Sequence, residues 1–333
     1  MKTRFIAPLI LALAFTATAN TNHYDPLGIS AVVPKILDLT VHDAARNRDL
    51  PLRVYLPTNS MPVPVILFSH GLGGSREGSK FMGEHWAARG YVAVFLQHPG
   101  SDDSVWQGKP VQEVMPAMTR AASLQNFLLR VQDVPAVLNQ LELWNTQTNH
   151  PLAHRLNLKK VGMSGHSFGA VTTEAVSGET LALSGQQFTD ARITAAIAFS
   201  PSSPKTDNAA SAFGAVKIPW MLMTGTRDTA PIGHEDVASR LAVYLNLKLA
   251  PKYELVLNNA EHSVFTDRPL PGDKTPRNPN HHRVILALST AFWDAYLRDD
   301  AAAHAWLNST APRSVMEADD KWQFAAHFKD GKE

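Results

Sequence analysis

The chain has 333 residues, 44% of them hydrophobic, which is enough to bury a large single core and is an ordinary length for one α/β domain. Lysine and arginine (31) nearly balance aspartate and glutamate (30), so nothing points to nucleic acid or an acidic polymer as partner. Cysteine is absent, which excludes disulfides, thiolate metal sites and a thiol nucleophile and leaves stability to packing.

Met1-Lys2-Thr3-Arg4 is followed by the apolar run Phe5 to Phe15 and the small residues Thr16 to Ala19. A basic start, a short apolar run and small residues at its end make a secretory signal peptide, expected to span residues 1–19. The other reading is an anchoring helix, but the run falls short of the ~20 residues a bilayer needs. The mature chain, residues 20–333, is therefore expected to be one exported domain, periplasmic or extracellular, with no transmembrane segment. Losing Lys2 and Arg4 leaves it near neutral.

Asn20 to Pro34 is turn-rich and is expected to wrap the surface. Ile36 to Asp43 and Leu50 to Leu56 alternate apolar and polar residues around the polar turn Arg46 to Asp49, which predicts an antiparallel hairpin at a sheet edge. Val63 to Ser69 is apolar throughout, as a strand covered on both faces reads, and ends in the glycine-rich loop His70 to Ser75. A helix over Glu77 to Ala88 and a second buried strand, Tyr91 to Leu96, complete a strand-helix-strand unit whose spacing implies a parallel pair.

Residues 101–126 are irregular and carry Trp106, Met115 and Met118, fitting either a short cap over the sheet's carboxyl edge or a packed surface loop. Phe127 to Leu143 has apolar residues at helical spacing and is expected to be a crossover helix bent at Pro135. Then Leu158 to Ser164 reads as an apolar strand running through Gly165-His166-Ser167-Phe168-Gly169 into a helix closed by Gly178. Strand, sharp turn and helix make a nucleophile elbow with Ser167 at its tip, where side chains at Gly165 or Gly169 would collide with their neighbours. Strands are expected at Ile193 to Phe199, Val216 to Thr224 and Tyr253 to Leu257, and helices at Glu235 to Leu245 and His281 to Leu297.

Four loops then stand at the carboxyl ends of parallel strands, the edge where open α/β sheets gather their sites: His70 to Ser75, Gly165 to Gly169, Gly225 to Asp228 and Asn258 to His262. They supply a serine, an acid and a base in the order Ser167, Asp228, His262, as expected on an α/β-hydrolase sheet. A serine hydroxyl needs a base to attack, an imidazole has a suitable pKa, and a carboxylate holds the imidazole in the productive tautomer. The backbone N–H of Phe168 is one expected oxyanion donor, and the second falls to the His70 to Gly74 loop.

Each assignment has rivals. Asp228 also fits a cap for the helix beginning near Glu235, and His262 competes with His98, His234 and the pair His281-His282. Glu261 is a poor rival, because adjacent residues on an extended segment point apart. His70 and His166 are expected to be hydrogen-bonded scaffold, His281 and His282 to face solvent. No spaced metal-ligand cluster is visible, so neither metal nor other cofactor is expected.

The runs Phe68-Ser69-His70-Gly71-Leu72-Gly73-Gly74 and Gly165 to Gly169 resemble the α/β-hydrolases that include platelet-activating-factor acetylhydrolase and bacterial proteins labelled predicted dienelactone hydrolases. The likeness to the bacterial group extends from about Leu50 to Leu307 and takes in Leu96 to Ser101, Arg130 to Val134 and Phe292 to Leu297. It implies an α/β-hydrolase fold, a mostly parallel sheet of about eight strands with helices on both faces. It also implies Leu72 as the second oxyanion donor. In the animal acetylhydrolases the acid follows the strand after the nucleophile's; here that place holds Phe199-Ser200, so Asp228 must serve. True dienelactone hydrolases use cysteine, so that label does not fix the activity. The expectation is a cofactor-free serine esterase acting on a small-molecule or lipid ester, with short to medium acyl chains favoured over lipase, phospholipase A2-like or polyester alternatives. A fold that binds without catalysing, and a serine peptidase, are the competing classes.

Overall fold

The computed structural model of the protein describes residues 24–181, 185–204, 209–233, 235–270 and 272–325. The expected signal peptide, residues 1–19, and His234 lie outside them. Among the described residues no helix is long and apolar enough to cross a membrane.

Nine strands form one sheet in the order β1-β2-β4-β3-β5-β6-β7-β8-β9. They are β1 (Lys35–Asp43), β2 (Arg48–Leu56), β3 (Val63–Ser69), β4 (Val92–Leu96), β5 (Leu156–His166), β6 (Ile193–Phe199), β7 (Trp220–Arg227), β8 (Lys252–Glu261) and β9 (Lys321–Ala325). The hairpin β1-β2 and the last strand, β9, pair antiparallel at the two edges, and β4-β3-β5-β6-β7-β8 is parallel throughout. The architecture is mixed α/β with a mostly parallel sheet.

The buried strands lack alternation because both faces are covered. On β3, Ile66 and Phe68 face a core built with α1 (Lys80–Ala88) and, further along the chain, α7 (Pro279–Leu297) and α8 (Ala301–Leu307). Val65 and Leu67, one residue out of phase, face α3 (Leu124–Thr146). The same face continues over β6 and β7, where Ala196, Ala198 and Leu222 meet α4 (Phe168–Val176), α5 (Ala209–Phe213) and α6 (Val237–Asn246).

Several expectations are corrected in detail. The sheet has nine strands instead of about eight: Trp322 and Phe324 of β9 stack on Tyr253 at 5.8 and 6.1 Å and cover the β8 edge. The strand expected from Val216 begins at Trp220, after Pro219, and α1 begins at Lys80 and not Glu77. Residues 101–126 are largely helical, with a 3-10 turn at Asp103–Val105 followed by α2 (Val111–Ala121).

Candidate functional site

β5 ends at His166 and α4 begins at Phe168, so one residue, Ser167, turns the chain. Its backbone sits at φ 57° and ψ −117°, a region that costs a non-glycine residue on the order of 1–3 kcal/mol and persists only when the surroundings enforce it. Here Ser167 N–H donates to Phe199 O (3.0 Å), while its own carbonyl accepts from the N–H groups of Ala170 (2.8 Å) and Val171 (3.1 Å). A Cβ on Gly165 would overlap the Gly169 carbonyl, and one on Gly169 the Ser69 carbonyl, so the turn passes only where both are glycine.

The turn lifts Ser167 toward His262, which opens a 3-10 turn at the end of β8. Ser167 Oγ lies 2.9 Å from His262 Nε2, and His262 Nδ1 lies 2.6 Å from Asp228 Oδ1. A carboxylate only accepts, so Nδ1 carries the ring proton and Nε2 is left to accept the Ser167 hydroxyl. The structure thus brings together the three side chains nominated from three separate loops. Asp228 caps no helix, since Asp236 caps α6 by accepting from Ser239 N–H.

Asp228 is fully buried, a position that alone would raise its pKa; the charge and hydrogen bond of His262, then Arg240 and Ser200, outweigh burial and hold it well below the usual carboxylate range. Its second oxygen accepts from Ser200 Oγ (2.6 Å) and Thr224 Oγ1 (2.9 Å). Arg240, 1% exposed, lies 2.9 Å from Asp228 Oδ1 through Nε and donates from Nη1 to the carbonyls of Ser200 (2.8 Å) and Pro201 (3.0 Å). Ser200, Thr224 and Arg240 were not anticipated. Arg240 had a readable signal, a charge on the buried face that it shares with Val243 and Tyr244 of α6. Ser200 follows the end of β6 and donates across to Asp228, which follows β7.

The glycine-rich loop after β3 packs against this turn: a Cβ on Gly71 would stand 3.4 Å from Ser167 Cβ. Gly73 N–H donates to Ser101 O (2.9 Å) and Gly74 N–H to Gly71 O (3.0 Å), whereas Leu72 N–H has no such backbone acceptor among the described residues. Phe168 heads α4, where an N–H has no intrahelical partner. From the other side, Trp106 Nε1 donates to Gly73 O (2.7 Å) and the Met118 side chain of α2 lies where a Gly73 Cβ would be. The 103–121 segment therefore braces the loop as well as covering it.

His70, His98, His166, His281 and His282 are held in structural contacts. His70 is buried, and its Nδ1 bonds Gly71 O (2.6 Å); His166 Nε2 bonds His262 O (2.9 Å) and so fixes the backbone that carries the His262 ring. Burial first, then neighbouring charge, pushes both rings well below the ordinary imidazole pKa, so both are neutral donors. His98 belongs to a separate buried cluster with Ser69 and Asp133. His281 and His282 do not face solvent: His281 is 4% exposed, and His282 stacks on Phe81 at 3.8 Å because α7 starts two residues earlier than its apolar pattern implies. Glu261 accepts from Lys274 and Thr275 N–H, pointing away from Ser167 as its place beside His262 requires.

A cavity of about 510 Å³ lies between α6 and the last strands, lined by residues including Thr226, Leu241, Glu254, Arg313 and Gln323; none of Ser167, Asp228 and His262 lines it. The arrangement around Ser167 can move a proton from hydroxyl to imidazole and stabilise the charge that forms there. Neither a known protein-family model nor any curated protein sequence matches the chain.

Proposed function

We propose that the protein is an exported serine carboxylic-ester hydrolase of the α/β-hydrolase fold. The observation that carries this reading is the contact chain Ser167 Oγ, His262 Nε2, His262 Nδ1, Asp228 Oδ1, at 2.9 and 2.6 Å, built on a serine held in a strained turn. The strand order, with serine after β5, acid at the end of β7 and base after β8, supports the fold assignment.

Ser167 Oγ attacks the ester carbonyl carbon as His262 Nε2 takes its proton. The carbonyl oxygen becomes an oxyanion, received by the N–H groups of Leu72 and Phe168. Collapse expels the alcohol, protonated by His262, and leaves an acyl group on Ser167. Water, deprotonated by the same nitrogen, attacks the acyl carbon and frees the acid and Ser167. Asp228 stays ionised throughout and stabilises the imidazolium. The substrate class is a small-molecule ester with a short to medium acyl chain.

A second reading, a lipase-like or phospholipase A2-like enzyme, is favoured by exposed apolar side chains beside the loop: Val111 is 88% exposed and Leu124 70%, with Trp106 and Met115 also open. Initial rates on p-nitrophenyl esters from acetate to palmitate, for protein lacking residues 1–19 and for its Ser167→Ala variant, test both readings. A short-chain peak that vanishes in the variant supports the esterase, and a long-chain peak supports the lipid-facing enzyme. Equal rates in both proteins, or no fluorophosphonate labelling of Ser167, would sink the serine mechanism.

A further inference from the structure

Arg130 projects from α3, is 0% exposed, and among the described residues forms no ion pair with a carboxylate. A buried guanidinium without a counter-ion in contact is expensive, and an apolar side chain of similar volume would serve the core better. Its donors go elsewhere. Nη1 donates to His70 O (2.7 Å), Nε to Ser101 Oγ (2.8 Å), and Nη2 reaches Ser101 O (3.4 Å) and Gly71 O (3.5 Å). The guanidinium carbon of the same residue lies over the Phe168 ring, 4.4 Å from its centroid.

We propose that Arg130 is a positioning residue that fixes both halves of the oxyanion hole, the Leu72 N–H and the Phe168 N–H, without itself touching substrate. The inference rests on the ester-hydrolase reading above.

The physical link is the planarity of the peptide bond. In a trans peptide the carbonyl and the following N–H point in opposite directions, and no cis peptide is present among the described residues. The Gly71 carbonyl is held by His70 Nδ1 (2.6 Å) and faces Arg130, so the N–H on the same peptide, that of Leu72, is aimed away from them. His70 can hold it because His98 N–H donates to His70 Nε2 (3.1 Å), which leaves the ring proton on Nδ1. Arg130 in turn anchors the His70 carbonyl. Glycine at 71 and at 73, where φ is +68°, makes this loop easy to turn over, and the hold from His70 and Arg130 adds to the one that Gly74 N–H gives the Gly71 carbonyl within the loop (3.0 Å). A flipped Gly71-Leu72 peptide would present a carbonyl to the oxyanion and remove one donor.

The test measures kcat and KM on p-nitrophenyl butyrate, the Ki of an alkylboronic acid whose tetrahedral adduct fills the oxyanion hole, and thermal unfolding, for wild type, Arg130→Lys and Phe168→Leu. Lysine keeps the charge but cannot span His70, Ser101 and the Phe168 ring together. The expected result for a folded Arg130→Lys is a kcat lower by ~10²-fold, KM within about threefold, and boronate affinity falling in parallel with kcat/KM. Phe168→Leu keeps the N–H and loses only the ring, so a milder loss of about three- to tenfold with the same pattern is expected, and this variant decides the matter if Arg130→Lys does not fold. Unchanged kcat in the folded variant, or a loss with boronate affinity unchanged, overturns the proposal. Wild-type protein that neither cleaves esters nor takes a fluorophosphonate overturns the hydrolase reading first, and this proposal with it.

Discussion

Ser69, His98 and Asp133 form a serine-histidine-aspartate relay of their own, with Oγ to Nε2 at 2.9 Å and Nδ1 to Oδ2 at 2.9 Å, beside Ser167, His262 and Asp228 at 2.9 and 2.6 Å. By distance the two are equivalent. Ser69, however, ends a regular strand paired on both sides and is 0% exposed, whereas Ser167 stands alone in a strained turn and is partly open. Burial, then the charge of Arg130, holds His98 at about 4, so this ring is neutral and a poor proton acceptor near pH 7. Asp133 is shared with Arg46 (2.8 Å) and Arg48 (2.9 Å), while Asp228 meets one arginine, Arg240 (2.9 Å), and its far oxygen accepts from the hydroxyls of Ser200 and Thr224. On the proposed reading, access and backbone strain suit Ser167 to act as a nucleophile, while the same three residue types around Ser69, closed off, brace the neighbouring loop.

The largest effect expected to separate the two is at the serines. Ser167→Ala should lose on the order of 10⁴-fold or more in kcat/KM, leaving only what binding and the oxyanion donors supply. Fluorophosphonate labelling that survived in this variant would move the nucleophile elsewhere.

Next come the acids. Asp228→Asn should lower kcat by ~10⁴-fold by spoiling the His262 tautomer. Asp133→Asn should instead act on stability, by ~3–5 kcal/mol in denaturant unfolding, because Arg46 and Arg48 lose a buried partner. A kcat loss as large in Asp133→Asn, in protein that unfolds like wild type, would erase the distinction.

The pH dependence follows from His98. Its folded pKa of about 4 lies below the ordinary 6.5, so the unfolded chain takes up a proton that the folded chain refuses. Its contribution is complete above pH 6.5, is lost as pH falls from 6.5 to about 4, and is constant below, up to ~3 kcal/mol in all. Unfolding free energies of His98→Gln against wild type should converge across that window as pH falls. Parallel curves would exclude His98 as the source.

The smallest effect is Ser69→Ala, which leaves the His98 acceptor unpaired and should cost ~1–3 kcal/mol of stability while Ser167 still labels. Loss of labelling in a folded Ser69→Ala protein would mean that the buried hydroxyl takes part in the chemistry.

Much of this was readable beforehand. The apolar runs at Val63 to Ser69 and Ile193 to Phe199 are buried strands within the bounds the pattern set, and the alternating pair before them is the edge hairpin. The short last strand escaped because five residues with two aromatics carry little periodic signal, and its pairing with β8 lies 60 residues and more back along the chain. Residues 103–121 resisted assignment because their apolar side chains are divided between solvent and the glycine loop, as Val111 and Met118 show.

The turn at Ser167 is written in the sequence, because only glycine at 165 and 169 lets a strand and a helix approach so closely, and so is the sharing of one carboxyl edge by these loops, because apolar strands alternating with helices pair in parallel. Only the tertiary structure decided how the histidines and arginines divide their work. His98 and His262 look alike along the chain, and Arg130 and Arg240 each sit on a largely apolar helical face, Arg130 together with Asp133. Which one meets a buried carboxylate, which one meets a loop carbonyl and which one faces a serine that substrate can reach depends on contacts between segments far apart in sequence, and no local pattern encodes those.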